Sequence, residues 1–355
     1  MSEIVTIKDI SKKCNVSSAT VSKALNGHSD IGEETAEYIR AVAREMGYLP
    51  NSAARALKTN RSNNIGVLFI DKTQSGLAHE YFSAVLNSLK VEAERRGFDI
   101  TFISRNIGNF KMSYLEHCRY RKCDGVVIAC VSFDDPEVIE LVKSDLPTVT
   151  IDHVFDNTTA ILSDNINSVR SLVNYIYDRG HTKIAFIHGE KTSVTQKRLA
   201  SFYKTCEELG ISVPDKCVKA AAYHDPKSSA VATNELLRLS DRPTCIMYPD
   251  DFSFIGGRNE IERQGLSIPG NISVVGYDGI NLSQALRPRL TTWKQDTETI
   301  GREAASKLID AIENPKISIQ QQITVPGELI EGETVNRLLA VKPSPKQNRA
   351  AISQR

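Results

Sequence analysis

The residues near the start of the chain that are best suited to chemistry form a small polar surface. Residues 17–26 read SSATVSKALN, and at about 100° per residue their small and polar members share one side of a helix. Hydroxyl, amide and ammonium groups of this size can enter the major groove of DNA and contact base edges. The members of this surface are Ser18, Ala19, Ser22, Lys23 and Asn26. The pattern favours a DNA-reading helix over the alternative, an ordinary solvated helix.

Three short helices are predicted to position this surface. Thr6 and Asp9 have capping-box spacing and predict the start of the first helix. Asn15 tolerates the left-handed conformation of the following turn, and Ser17 can cap the second helix. A third helix is expected between Gly32 and its stop at Gly47. The buried sides should comprise Ile7, Ile10 and Cys14, then Val21, Ala24 and Leu25, and finally Ala36, Ile39, Val42 and Met46.

The next segment, 51–64, is basic and only conditionally helical. It follows Pro50, contains three cations and no acidic residue, and its Ala-rich run is too short to form a stable helix by itself. One large apolar side chain, Leu57, among cations is typical of a minor-groove wedge, although a plain interdomain linker is the alternative. DNA contacts are predicted at Thr6, Ser17, Ser18, Ala19, Thr20, Ser22, Lys23, Asn26, Asn51, Ala54, Arg55, Leu57 and Lys58.

Charge is distributed unevenly along the 355 residues, although the net charge is only +1. Residues 1–62 carry nine Lys and Arg against seven acidic residues, and residues 342–355 carry four cations and no acid. The middle of the chain is therefore acidic. Basic ends and an acidic middle fit a DNA-reading domain attached to a neutral-to-acidic body. The tail 341–355 lacks leucine heptads and is predicted to be disordered.

Composition also narrows the class of protein. Seven cysteines without a CxxC pair are expected to be reduced thiols in a cytoplasmic protein. His117, Cys118 and Cys123 lie close in sequence, but a metal site needs more ligands, so we expect them on a helix surface and predict no metal. No apolar run reaches membrane-spanning length and no secretory signal opens the chain, so a cytoplasmic location is expected. GxGxxG, P-loop, GxSxG and HExxH motifs are missing, so we predict no enzyme and no cofactor.

From residue 64 onward, short apolar strands alternate with amphipathic helices. Unbroken apolar strands between helices predict an α/β fold of parallel sheets covered on both faces, and the length requires two such sheets. The strand-like runs are 65–70, 100–103, 126–129, 148–151, 183–187, 244–247 and 272–276. Trp293, the only tryptophan, is predicted to be a packing residue.

Aspartates follow several of these strands and are candidates for ligand binding. Ligands in such folds bind at the carboxyl ends of the strands, where carboxylates can grip hydroxyl groups. The alternative is that each aspartate caps the following helix, which we expect for some of them. The candidates are Asp71, Asp152, Asp164, Asp251 and Asp278.

The order of three helices, basic segment and apolar strand closely resembles the LacI/GalR family of bacterial transcription regulators. The resemblance extends over nearly the whole chain, to about residue 334. The matching segments are VTIKDISKKCNVSSATVSKALNG at 5–27, GYLPNSAARALKTNRSNNIGVL at 47–68, and then CDGVVIA, DRGHTKIAFIHG, KRLASFYKTCEELG and VVGYDG. Together these segments are far more specific than a lone helix-turn-helix.

The resemblance implies four segments. They are a helix-turn-helix headpiece at 1–49, a hinge at 50–62, a core at 63–340 and the tail at 341–355. The core should be a periplasmic-binding-protein-like pair of lobes, with lobe one at 63–161 and 293–322 and lobe two at 163–290 and 323–340. Three crossovers are expected near 161–164, 290–293 and 321–324.

The resemblance also implies a function. Arg198 matches the family's ligand-binding arginine, Asp251 its ligand-binding aspartate, and Tyr81 with Phe82 the aromatic pair of its pocket. The expected protein is a homodimeric repressor of a carbohydrate-utilisation operon that binds double-stranded operator DNA and a sugar-like effector. An exported solute-binding protein or a doubly wound enzyme is the alternative.

Three departures from the family pattern bear on these assignments. The loop 72–80 is longer than usual beside the pocket, Lys23 stands where arginine is commoner, and LIEGET replaces the usual pattern near the end.

Overall fold

A computed structural model describes residues 5–28, 30–49, 61–70 and 76–338. The chain divides into two compact units at Ser62–Asn63, which we call the headpiece unit and the core unit. Several residues singled out in the sequence lie outside the described ranges, namely Asn51, Ala54, Arg55, Leu57, Lys58 and Asp71.

The headpiece unit contains the three expected helices, which begin and end at local signals. They are α1 (Ile7–Cys14), α2 (Ser18–Leu25) and α3 (Glu33–Glu45). The Asp9 carboxylate accepts hydrogen bonds from the N–H and hydroxyl of Thr6 at 2.9 and 2.6 Å. Asn15 adopts a left-handed φ of 54°, and Ser17 Oγ accepts the Thr20 N–H at 3.0 Å. The predicted caps and turn are therefore confirmed.

The apolar sides of the three helices pack into one small core. This packing confirms the predicted stripes, because helix-period spacing places their members on one side of each helix. The fully buried members are Ile10, Val21, Ala24, Ala36, Ile39, Val42 and Ala43, and Ile7, Cys14, Leu25 and Met46 pack around them.

The core unit contains a first lobe built on a parallel sheet. Its strands are β1 (Asn64–Phe69), β2 (Asp99–Phe102), β5 (Gly125–Ala129), β6 (Thr148–Ile151), β7 (Thr159–Ser163) and β13 (Gln322–Val325), in the order β13-β7-β6-β5-β1-β2. Its helices are α4 (Glu80–Arg95), α5 (Tyr114–Tyr120), α6 (Pro136–Val142) and α12 (Thr297–Glu313). A short hairpin pairs β3 (Asn106–Ile107) with β4 (Phe110–Lys111). Helices α4 and α12 bury one sheet face, and α5 and α6 bury the other.

The second lobe repeats this architecture. Its strands are β8 (Ile184–His188), β9 (Val218–Ala220), β10 (Cys245–Met247), β11 (Ser273–Asp278), β12 (Thr291–Lys294) and β14 (Glu328–Ile330), in the order β14-β12-β11-β10-β8-β9. Only β14 among these strands runs antiparallel to its neighbour. Its helices are α7 (Asn165–Asp178), α8 (Ser193–Glu208), α9 (Pro226–Leu237), α10 (Asp251–Arg263) and α11 (Asn281–Ala285). The predicted α/β class with two sheets is confirmed.

Two of the predicted crossovers were placed a few residues too early. Trp293 lies in β12, where it pairs with Tyr277 of the second sheet and is buried in that lobe's core. Thr324 lies in β13 and pairs with Leu162 of the first sheet. The chain therefore crosses between the lobes at Asp164, at 295–296 and at 326–327. An extended segment gives no local signal of which sheet it joins, so its boundary is set by long-range pairing.

The prediction that His117, Cys118 and Cys123 lie on a helix surface was wrong. His117 and Cys118 are buried, and His117 Nδ1 contacts the backbone of Ser104 at 2.9 Å. All seven cysteines are free thiols. Within the described ranges, no group of three or more His, Cys, Asp or Glu could hold a metal ion. No helix in those ranges is long and apolar enough to span a bilayer.

Candidate functional site

The polar surface of α2 remains accessible in the headpiece unit. Ser18, Ala19, Lys23 and Asn26 are exposed, and Ser22 is partly exposed. The Asn26 side-chain amide donates to the Ser22 carbonyl at 2.6 Å, which orients it along the helix end.

Lys23 on this surface forms an ion pair with Asp30. Both side chains are about half exposed, at 48 and 55%. Exposed pairs of this kind contribute only about 0–1 kcal/mol, so a phosphate can replace the aspartate as the partner. The pair nevertheless neutralises one cation of the predicted DNA-reading surface.

The two lobes of the core unit contact one another where the carboxyl ends of their strands converge. Ser193 Oγ of the second lobe donates to the Asp152 carbonyl of the first at 3.2 Å. The Asn281 N–H of the second lobe donates to the Glu80 carboxylate of the first at 2.7 Å. These contacts hold the lobes together around a shared group of buried and partly buried polar side chains, which we call the cleft cluster: Tyr81, Asp152, Ser163, Asn165, Arg198, Tyr223, Tyr277 and Asp278.

The first lobe contributes Tyr81 and Asp152 to the cleft cluster. Tyr81 is buried at the start of α4, and its hydroxyl lies 3.5 Å from Asp152 Oδ2. Burial and, secondly, the Asp152 charge raise the pKa of Tyr81 well above its ordinary value, so its hydroxyl stays a donor. Asp152 Oδ1 accepts the Ser163 N–H at 2.8 Å. Phe82 packs beside Tyr81, with ring centres 4.9 Å apart.

Arg198 is the buried cation of the cleft cluster. Its side chain lies on α8, donates from Nε to Asn165 Oδ1 at 2.7 Å and donates from Nη1 to the Pro249 carbonyl at 3.1 Å. The guanidinium carbon lies 3.5 Å from the centre of the Tyr277 ring and 5.8 Å from that of Tyr223, within cation–π range. Among the described residues, no acceptor bonds to Nη2 of Arg198. One edge of the guanidinium is thus available for a ligand.

Asp278 brings a carboxylate to Arg198 from the end of β11. Its Oδ1 accepts the Gln295 side-chain amide at 2.7 Å. Burial and, secondly, the Asp250 charge raise the pKa of Asp278 well above its ordinary value, whereas Arg198 opposes the shift. Gln295 Oε1 is buried and has no hydrogen-bond partner among the described residues. A buried acceptor of this kind can accept a hydrogen bond from a ligand hydroxyl.

Backbone strain is concentrated at the same edge. Asp152, His224 and Asp278 have positive φ values of 60, 54 and 101°. Non-glycine residues in this region cost about 1–3 kcal/mol each and cluster at ligand-binding sites. At Asp152 and Asp278 the strained backbone carries a carboxylate that belongs to the cleft cluster.

Asp251 is placed beside this cluster and is already bonded within the protein. Its Oδ1 accepts the Thr292 hydroxyl at 2.6 Å, and its Oδ2 accepts the Ile280 N–H at 3.0 Å. The side chain is only 1% exposed. Burial raises the pKa of Asp251 to about 7, although the hydrogen bonds from Thr292 and Ile280 lower it. In this arrangement Asp251 shapes the turn that follows Asp278.

Asp164 occupies the first crossover and caps a helix. Its carboxylate accepts the Asn167 N–H at 3.0 Å and the Asn167 side-chain amide at 2.7 Å, at the start of α7. This is the capping alternative that the sequence left open for such aspartates.

A stack of three rings crosses between the lobes and was missed in the sequence. His79 of the first lobe stacks on His224 of the second at 3.9 Å, and His224 stacks on Phe252 at 4.1 Å. Phe252 directly follows Asp251, and Tyr277 of the cleft cluster directly precedes Asp278. Their positions next to strand-end aspartates are a sequence signal that could have identified both aromatic residues. His79 and His224 lie in loops, and nothing in their local sequence indicates that they meet.

Comparisons with known proteins identify both parts of the chain. Residues 6–51 match the bacterial regulatory proteins of the lacI family, and residues 173–335 match the periplasmic binding protein-like domain. The HTH-type transcriptional repressor PurR of Escherichia coli O1:K1 is 30% identical over 340 residues, which are 94% of this chain and 97% of that protein. PurR of Salmonella arizonae has the same identity and coverage.

Solved structures agree in fold. The Lac repressor dimer bound to operator and the anti-inducer ONPF is 25% identical, with a TM-score of 0.78 over 94% of this chain and 100% of that one. A complex of the transcriptional regulator CelR with cellobiose is 22% identical, with a TM-score of 0.69 over 93% of this chain and 99% of that one. The second likeness concerns the fold alone.

The raised pKa of Asp251 predicts a specific pH dependence of stability. Since its pKa rises from 3.8 to about 7 on folding, its protonated form stabilises the fold fully below about pH 4. That stabilisation is lost as the pH rises through 7, by at most about 1.4 kcal/mol per pH unit. Between pH 5 and 8, the free energy of unfolding of wild type should therefore fall relative to that of Asp251→Asn, as measured by urea denaturation.

Thr292→Val is the matched control for this measurement. It removes the hydroxyl that donates to the carboxylate, so the fall should move to higher pH. Parallel pH profiles for wild type and Asp251→Asn would show that this carboxyl does not carry the raised pKa.

Proposed function

Because the chain belongs to the LacI family of bacterial regulatory proteins, DNA-binding repressors under small-molecule control, we propose that its cleft cluster binds a sugar-like effector. The observation that carries the proposal is that Arg198, whose Nη2 has no bond to a described residue, interacts electrostatically with strained aspartates from both lobes, Asp152 and Asp278. Carboxylates that accept from ligand hydroxyls, opposite a guanidinium that donates, suit a polyhydroxyl compound. We infer that the regulated genes serve carbohydrate use.

Each member of the site has a distinct proposed role. Asp152 and Asp278 accept ligand hydroxyls from opposite lobes, and Arg198 donates to a ligand oxygen. The rings of Tyr81 and Phe82 offer an apolar face on which a sugar ring can pack. Asp251 has a positioning role, because its two oxygens already hold Thr292 and the Ile280 backbone. Asp164 and Asp71 remain candidates from the sequence.

DNA recognition is proposed for α2 and the hinge. In a homodimer two copies of the α2 surface would read two half-sites of a near-palindromic operator in successive major grooves. The hinge would add cations and the Leu57 wedge in the minor groove. The proposed contact residues are the thirteen that the sequence predicts, of which Thr6 is the first and Lys58 the last. Such a protein would act in the bacterial cytoplasm, where the DNA is.

Effector and DNA would be coupled through the relative position of the lobes. A ligand that bonds to both lobes changes the balance between their closed and open arrangements, and this balance determines whether the hinge can fold on DNA. Moving such an equilibrium almost completely requires about 5.5 kcal/mol of differential affinity, shared over the two sites of a dimer. A ligand that favours one arrangement releases DNA, and a ligand that favours the other promotes DNA binding.

The DNA-binding function predicts a steep dependence on salt. An operator is first selected from random duplex DNA with the full chain, and its affinity is then measured from 50 to 200 mM salt. About 6–10 phosphate contacts in a dimer should lower the affinity by about 10³- to 10⁵-fold over this range. A slope near zero, or no enriched sequence, would refute the proposed mechanism. Thermal-shift screening against sugars, sugar phosphates and nucleosides then identifies the effector class.

Arg198 should govern effector binding without affecting the DNA-reading surface. Arg198→Lys keeps the charge but loses the bond to Asn165 and the planar stacking on Tyr277. By calorimetric titration the affinity for the effector should fall about 10- to 100-fold, the equivalent of 1–3 kcal/mol. Operator affinity without effector should stay within about twofold of wild type.

Arg170→Ala is the matched control for Arg198→Lys. Arg170 forms an exposed ion pair with Glu208 in the same lobe, so its loss should leave both affinities unchanged. Wild-type effector affinity in Arg198→Lys would place the pocket elsewhere, with the long 72–80 loop as the next candidate.

Release of Lys23 should strengthen DNA binding. Asp30→Asn removes the partner of Lys23, so the ammonium no longer has to exchange partners on binding. Operator affinity at low salt should rise about 2- to 5-fold by fluorescence anisotropy, and the gain should shrink at high salt. Asp145→Asn makes the same charge change at an exposed pair of the core unit and controls for net charge. An equal gain in both variants would mean that net charge, and not Lys23, is responsible.

A further inference from the structure

Two cysteines face one another at the carboxyl end of α5. The helix ends in a Schellman turn, in which Lys122 has a φ of 52°. The Cys123 N–H donates to the Cys118 carbonyl at 2.9 Å, and the Lys122 N–H donates to the Arg119 carbonyl at 3.0 Å. This turn brings the side chains of its first and last residues into contact. Here those residues are Cys118 and Cys123, which are both buried in the same apolar cluster of the first lobe.

The surroundings make the two thiols unequal. The Asn64 side-chain amide donates to Cys123 Sγ at 3.6 Å. The hydrogen bond from Cys118 lowers the pKa of Cys123, with a smaller contribution from the Arg121 charge, whereas burial and Asp124 oppose the shift. The same hydrogen bond, together with burial, raises the pKa of Cys118. Cys123, which is 8% exposed, is therefore the more reactive thiol, and the fully buried Cys118 is its partner.

Two other buried cysteines show a different chemistry. Burial in the apolar core of the second lobe raises the pKa of Cys206 to about 12 and that of Cys245 further. Thiols of this kind are packing residues and are inert to oxidants.

We propose that Cys118 and Cys123 are a peroxide-sensitive thiol pair whose disulfide loosens Asn63 and Asn64, the first residues of the core unit. The Cys123 thiolate attacks hydrogen peroxide, forms a sulfenic acid and releases hydroxide. The Cys118 thiol then attacks the sulfenic sulfur, the S–S bond forms and water leaves. Overall, two thiols lose two hydrogen atoms and one peroxide becomes two waters. A dithiol reductant reverses the step.

The turn that carries this pair also holds the first residues of the core unit. The Asn63 N–H donates to the Asp124 carboxylate at 2.7 Å, and the Asp124 N–H donates to the Asn64 carbonyl at 2.8 Å. The Asn64 side-chain amide also donates to the Arg121 carbonyl at 3.1 Å. Residues 121–124 and 63–64 thus form a clamp, and the hinge segment precedes it directly in the chain.

Oxidation should loosen this clamp. A disulfide has a dihedral preference near 90° and a bond length of about 2.05 Å, so the two sulfurs must leave the positions that they hold as thiols. Cys123 Sγ then no longer accepts from Asn64. Under the proposed function the hinge contributes to DNA binding, so operator affinity should fall. This consequence depends on the proposed DNA-binding function, whereas formation of the disulfide does not.

The disulfide is tested on the full chain by peptide mapping. Reduced protein is treated with hydrogen peroxide and alkylated, and denatured thiols are counted. The count should fall from seven to five. Trypsin cleaves at Arg119, Arg121 and Lys122, so the disulfide should link the peptide of Cys118 to the one that begins at Cys123. The second peptide also contains Cys130, so Cys130→Ser must keep the linkage and Cys123→Ser must abolish it. An unchanged count, or a linkage that survives in Cys123→Ser, would overturn the proposal.

The consequence is tested by operator binding of the same samples. Oxidised wild type should bind its selected operator at least tenfold more weakly, and dithiothreitol should restore the affinity. Cys118→Ser cannot form the disulfide, so peroxide should leave its operator affinity unchanged. Cys130→Ser keeps both thiols of the pair, so peroxide should weaken its operator binding as in wild type. Equal operator affinity of reduced and fully oxidised wild type would overturn the switch. If the reduced protein binds no DNA at all, the proposed function fails, and peptide mapping still decides whether the disulfide forms.

Discussion

The burial of the Arg198 guanidinium, in the second lobe beside the contacts between the lobes, is the constraint on which the proposed effector site depends. A cation in a low-dielectric interior must be compensated, and Arg198 is held by Asn165, by a backbone carbonyl and by the face of Tyr277. Arg198 and Asp278 interact electrostatically, so the guanidinium opposes the rise in the pKa of Asp278. Asp250 and Asp251 are buried nearby, and their charges raise the pKa of Asp278 further. The site therefore holds a charge balance that a ligand with hydroxyl groups can alter.

The fold places this balance at one edge of two parallel sheets. Parallel strands end together, so residues distant in sequence meet at the carboxyl ends of the strands. Asp152 ends its strand in the first lobe and Asp278 in the second, and both have strained backbones. The three crossings of the chain let the lobes carry these residues toward or away from each other. Under the proposed function, a ligand bonded to both lobes would act through this connectivity.

Strand β1 of the first lobe runs between the clamp and the carboxyl ends of the strands, where the cleft cluster lies. Strand β1 begins at Asn64, in the clamp that contains Cys123, and ends at Phe69, whose ring lies 5.3 Å from that of Phe82. One buried strand thus connects the clamp at the start of the core unit with the wall of the proposed effector site. Packed interiors transmit small shifts along such elements because they have little free volume. Redox state and effector would act on the same strand from its two ends.

The sequence by itself determined the local structure and the class of protein. Helix caps at Thr6 and Ser17, the left-handed Asn15 and the buried stripes of the headpiece depend on neighbours within a few residues, so spacing was enough to predict them. Alternation of apolar strands and helices likewise predicted the two parallel sheets. Tertiary structure alone decided which strand-end aspartates join Arg198, that Asp164 caps a helix, and where Trp293 pairs. It also decided that His79 meets His224 and that Cys118 is buried against Cys123. These outcomes depend on contacts between distant segments, which sequence spacing does not encode.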